Sequence, residues 1–150
     1  MNFIDEPSWL DDILKAIPEL PAKQTLLSGR VKFGTSKPWP YYIEHVLTDI
    51  GLPSTALLDY ITTRFPSLMP VSLDTLDVPN LNNLFPAEFT QKFFVAPFNA
   101  SQPFLSVAVV EPDLLKPFYD AYLPWAKTAN FSLLQYFAVL PSSFENFTNP

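Results

Sequence analysis

The run Phe104-Leu-Ser-Val-Ala-Val-Val110 constrains this chain more than any other stretch. It carries no charge and is rich in β-branched and aromatic residues. It lies between the turn former Asn99-Ala-Ser-Gln-Pro103 and the breaker Glu111-Pro-Asp113, so it reads as a buried strand. Phe93-Phe-Val-Ala-Pro-Phe98 has similar composition, and the five residues between the two runs suit a hairpin loop. A third run, Phe131 to Leu140, is long enough to pair beside them. Such strands need a covering layer, which the intervening segments supply as helices. The expected fold class is α+β: a small three- to four-stranded sheet flanked by short helices, preceded by a helical hairpin and a tethered N-terminal helix.

The helices follow from spacing and punctuation. Residues 6 to 17 place Trp9, Leu10, Ile13, Leu14 and Ile17 at helical intervals, with Pro7 in the first turn and Pro18 as the stop. A helix this short is marginal by itself. Its apolar stripe either packs on its own domain or waits for a groove on a partner, and Trp9, Leu10, Ile13 and Leu14 are the candidate partner-binding residues. Residues 18 to 40 hold Pro18, Pro21, Pro38, Pro40, Gly29 and Gly34 with little periodicity, and read as a linker. The expected organisation is therefore residues 1–40 as helix plus basic linker and residues 41–150 as the α+β domain. A helical hairpin is expected from Pro40 to Ile50 and from Ser54 to Phe65, with Gly51 ending its first arm. Met69 to Leu73 reads as a short edge strand because of Pro70. Asp74 to Phe85 reads as irregular, with room for one helical turn. A short helix opens at Pro86, another covers Asp113 to Leu123 with a division at Pro117, and the last begins at Pro141.

Composition excludes several functions. At 48% hydrophobic and 16% charged the chain forms a core, and its 150 residues suit one domain. Its 17 prolines against three glycines make the corners stiff. A net charge of −6 argues against a nucleic-acid partner, since phosphate binding needs clustered cations. Five acids, Asp5, Glu6, Asp11, Asp12 and Glu19, fall in the first twenty residues, and Lys23, Arg30, Lys32 and Lys37 follow. There is no cysteine, no basic signal-peptide start, and no apolar run long enough for direct membrane insertion, so a cytoplasmic location is expected.

Catalytic constellations are missing. With one histidine, His45, and no cysteine, the usual metal sites and triads lack their parts. Phe33-Gly-Thr-Ser-Lys37 lacks the second glycine and the strand-to-helix setting of a phosphate loop. Asp11 and Asp12 are helix neighbours and point about 100 degrees apart, so they make a poor acid/base pair. Glu111-Pro-Asp113 sits at a strand end, where sites often form. No catalytic residue, metal or cofactor is assigned, and binding is the expected role.

From residue 51 onward the order of motifs resembles a known family. The motifs are Gly51-Leu-Pro-Ser54, Leu57-Leu-Asp-Tyr-Ile61, Pro70-Val-Ser-Leu73, Phe85-Pro-Ala-Glu88, Lys92-Phe-Phe-Val-Ala-Pro97 and Leu105-Ser-Val-Ala-Val-Val-Glu-Pro112. In that order and spacing, over roughly residues 41 to 147, they resemble the N-terminal domain of type II secretion ATPases and of their bacterial type IV pilus relatives. The resemblance implies a non-catalytic front end of a hexameric ATPase whose core follows in the full protein. It also implies a partner, the cytoplasmic domain of the inner-membrane platform protein, which would hold the chain at the membrane without inserting it. Some relatives bind cyclic di-GMP through paired R-L-G-x-x-L stretches. Here Pro40-Tyr-Tyr-Ile43 and Arg64 stand where that motif's residues belong, so cyclic di-GMP binding is not expected. A cyclic-dinucleotide-sensing regulatory module is the alternative function.

Overall fold

The computed structural model describes residues 3, 5–74, 84, 86–126 and 131–149. A four-stranded mixed sheet in the order β1-β4-β3-β2 organises them, with helices on both sides. β2 (Val95–Ser101) and β3 (Phe104–Val109) form an antiparallel hairpin, and β4 (Leu133–Ala138) lies parallel to β3. β1 (Met69–Pro70) adds a short parallel edge to β4, paired at Phe137 and Ala138. A proline in the ladder costs a donor, which an edge tolerates. The expected five-residue hairpin loop is shorter in fact, because pairing continues to Ser101 and only Gln102 and Pro103 join the strands. A bulge between Pro97 and Asn99 makes this extension fit and turns Ala100 toward the opposite face from Phe98.

Alternation along β3 builds two layers. Leu105, Val107 and Val109 meet Phe89 and Phe93 of α5 (Ala87–Phe93) and Phe118 and Tyr122 of α6 (Leu115–Ala126). Ala108 and Val110 face the other way, toward Phe94, Val139 and Phe144, the last from α7 (Pro141–Thr148). Phe94 takes a left-handed conformation (φ 54°) where α5 turns into β2, and its ring contacts Phe3, Tyr41 and Phe144. The division expected at Pro117 falls instead between a 3-10 turn, Pro112–Leu114, and α6. Pro117 sits within the first helical turn, where a missing N–H costs nothing. Most of the stretch from Asp74 to Phe85 lies outside the described residues.

Four helices form the third layer. α3 (Trp39–Asp49) and α4 (Thr55–Arg64) are the expected hairpin, and Gly51 at φ 80° ends its first arm. α1 (Leu10–Ala16) begins later than expected, because the Ser8 backbone N–H is bonded to Asp113 and Trp9 is not helical. The stretch read as a linker folds: α2 (Lys23–Phe33) occupies its middle, and Pro21 and Pro38 lie outside the helix rather than within a flexible tether. Leu26 and Arg30, one turn apart, are its two buried residues. One apolar cluster joins Trp9, Leu10, Ile13, Leu26, Ile43, Leu47, Leu57 and Ile61 to Ala138 of the sheet, so residues on both sides of position 40 share a core.

Candidate functional site: the seat of the N-terminal helix

The residues singled out for partner contact occupy a seat on this chain. Trp9 and Ile13 are fully buried and Leu10 is nearly so, while Leu14 is half-buried against the same cluster. Burying such side chains returns roughly 1.5 to 3 kcal/mol each, and a seven-residue helix depends on it. In the seated form these residues are therefore taken up by their own fold, not offered outward.

Polar contacts fix the helix in register. The Trp9 indole Nε1–H donates to Glu111 Oε1 at 2.8 Å, inside the protein. The Asp113 backbone N–H donates to the same oxygen at 3.0 Å. The Asp113 carboxylate accepts from the Ser8 backbone N–H at 2.7 Å and from the Ser8 hydroxyl. From α4, the Tyr60 hydroxyl donates to Asp12 Oδ2 at 2.7 Å and reaches the Trp9 carbonyl, and Arg64 stands 3.6 Å from Asp12. The turn at the end of the central strand is thus a clamp on the start of α1. Burial pushes the Glu111 carboxyl up to about 8, against the indole and backbone bonds that favour its charged form, while the neighbouring Asp113 charge adds to the rise. Burial, followed by the bond to Asp12, raises the Tyr60 hydroxyl, so it stays a donor at neutral pH.

The remaining candidates have structural partners. Asp11 pairs with Lys23 and Asp12 with Tyr60 and Arg64, so the two carboxylates do not converge. His45 is exposed beside Asp49 at 3.1 Å. Phe33-Gly-Thr-Ser-Lys37 links two helices, and Lys37 bonds Glu145 at 2.8 Å and lies over the Tyr41 and Phe94 rings. Arg30, 1% exposed, donates to the carbonyls of Gly34, Phe3 and Lys37 and stacks on Trp39. Lys23 also bonds Glu6. Three of the four cations in residues 23 to 37 are therefore used internally. Among the described residues no cluster of carboxylates, histidines or cysteines has the spacing of a metal site, and no helix is long and apolar enough to cross a membrane. Sequence reasoning did not assign the roles of Glu111, Asp113, Tyr60 and Arg30. The signal was an indole that needs an acceptor when buried and an acidic turn directly after the core strand.

No protein-family model matches the chain, and a search of curated proteins gives no match. Solved structures do share its fold. The N-terminal domain of XpsE superposes with a TM-score of 0.58 at 17% identity, covering 95% of each chain. A structure of MshE with cyclic di-GMP superposes with a TM-score of 0.58 at 14% identity, covering 92% of this chain and 94% of that one. The chain therefore has the fold of the XpsE N-terminal domain, consistent with the type II secretion ATPase N-terminal domain that its motifs resemble.

Proposed function

We propose that this chain is a non-catalytic docking domain of a type II secretion ATPase, cytoplasmic, which recruits the ATPase to the membrane platform by binding the cytoplasmic domain of a platform protein. The observation that carries this reading is the likeness to the XpsE N-terminal domain over nearly the whole chain, together with motifs in the family's order. ATP hydrolysis belongs, on this reading, to a separate core of the full protein. Trp9, Leu10, Ile13 and Leu14 contact the partner only in a form in which α1 has left its seat, since seated they face inward.

Calorimetric titration with the platform protein's cytoplasmic domain tests docking: a saturable 1:1 isotherm supports it, and absence of heat and of co-elution refutes it. The α1 contact is tested separately in a chain with no native cysteine, by Ser8→Cys with Asp113→Cys, which ties the helix to its clamp when oxidised. Binding that is lost on oxidation and restored by reduction supports contact through a released α1. Binding that is equal in both states refutes that contact and leaves docking standing.

The likeness to MshE, solved with cyclic di-GMP, favours a second reading as a cyclic-dinucleotide-sensing module. Against it stand the absent arginine and glycine of the motif and the internal use of Lys23, Arg30 and Lys37. A ligand present at 100 times its dissociation constant adds about 2.7 kcal/mol of stability. A thermal shift of that size on adding cyclic di-GMP supports this reading, and none removes it.

A further inference from the structure

We propose that the Glu111-Pro112-Asp113 turn is a proton-operated latch: α1 is seated while Glu111 holds a proton, and loss of that proton loosens the helix from its seat. The inference concerns this chain alone and stands whether or not the docking reading does. Its basis is a carboxyl at the end of the core strand, 4% exposed, whose contact with α1 is the indole of an equally buried tryptophan. With α1 seated this carboxyl is shut away from water, and an enclosed carboxylate that no cation among the described residues pairs is costly.

The charged and titratable groups around the clamp are Asp113 on its own turn, Asp12 on α1, and Tyr60 and Arg64 on α4. Arg64 is engaged by Asp12, and the charge acting on Glu111 is that of Asp113, which repels it. The indole and Asp113 N–H groups favour the carboxylate, but burial outweighs both. When α1 lifts, Glu111 meets water and regains an acidity near 4.3, typical of a free glutamate. Linkage then dictates the response. Between that value and about 8, the released form holds one proton fewer, so the ratio of released to seated helix rises up to tenfold per pH unit and levels off above about 8.

Hydrogen exchange of the intact chain reads this directly at the Ile13 and Ile17 amides, which bond the Trp9 and Ile13 carbonyls. Corrected for base catalysis, their protection is expected to fall up to tenfold per unit from pH 6 to 8, ahead of the β3 amides, and to be flat in Glu111→Gln. Protection independent of pH, the same fall in Glu111→Gln, or α1 exchanging only together with β3 overturns the latch. Should Glu111→Gln not fold, Trp9→Phe decides. It removes a donor that favours the carboxylate, so the levelling-off moves to higher pH, and an unmoved one overturns the proposal.

Discussion

Replacing Ile13 with alanine asks whether the seat of α1 belongs to the folded domain in solution. Ile13 is fully buried in the cluster that joins α1 to α3, α4 and the sheet. Truncating a large aliphatic side chain there costs about 2 to 5 kcal/mol, from lost burial plus the cavity left behind. Alanine is the better helix former and returns at most about 0.7 kcal/mol. A net loss of about 1.3 to 5 kcal/mol in a chain of this size lowers the melting temperature by about 3 to 20 °C. Two neighbours on the same helix calibrate the measurement. Leu14 is half-buried and Lys15 is exposed, so Leu14→Ala is expected to fall between the extremes and Lys15→Ala to stay within about 0.5 kcal/mol. Scanning calorimetry gives the temperatures, and urea titration with an unchanged m-value shows that the native state alone was weakened. A shift for Ile13→Ala no larger than that for Lys15→Ala refutes the seat.

Glu111→Gln is expected to remove a pH dependence. The folded carboxyl is held up at about 8 by burial, so the folded chain keeps a proton that the unfolded chain has lost. Stability contributed by this group is full below about 4.3, declines by up to about 1.4 kcal/mol per unit as pH rises through about 8, and is flat beyond. The difference in melting temperature between the two proteins across pH 5.5 to 9 isolates it, and parallel curves contradict the assignment. Arg30→Ala removes the part-buried bonds to the carbonyls of Gly34, Phe3 and Lys37, and at about 0.5 to 1.5 kcal/mol for each bond lost the expected cost is about 1.5 to 4.5 kcal/mol in a urea titration. Arg30→Lys is expected to recover less than half of it, since one ammonium cannot reproduce the guanidinium fork. Gly29→Ala, which in an ordinary helix stabilises by about 0.5 to 1 kcal/mol, is expected to destabilise here. The added Cβ collides with the Tyr42 hydroxyl and breaks its bond to the Leu26 carbonyl, and Tyr42→Phe in the same chain restores part of the loss in thermal melts.

The sheet was legible because its residues state their environment. From Leu105 to Val110 the apolar side chains divide between two layers, so composition alone marked this run as the core strand. The α3–α4 hairpin was legible for a related reason, an apolar stripe ended by a glycine at positive φ. α2 was not, because it buries one leucine and one arginine while Val31 and Phe33 stay exposed, and no stripe forms. Its helical state comes from tertiary contacts: Tyr42 against Gly29 and carbonyl oxygens gathered around Arg30. The stripe on α1 was read correctly as apolar, but its destination depends on Glu111 and Asp113, about a hundred residues away, and periodicity carries no information over that distance.

That separation also orders events during synthesis. Ser8 and Trp9 are made 105 and 102 residues before the acceptors that fix them. At about 5 to 20 residues per second, the delay is about 5 to 20 seconds. Throughout it the seven residues of α1 have too few hydrogen bonds to hold a helix. Trp9 thus waits without the acceptor for its indole, and Ser8 without its own, until the central strand and its acidic turn have emerged, so α1 is held in register only after most of this chain has been made.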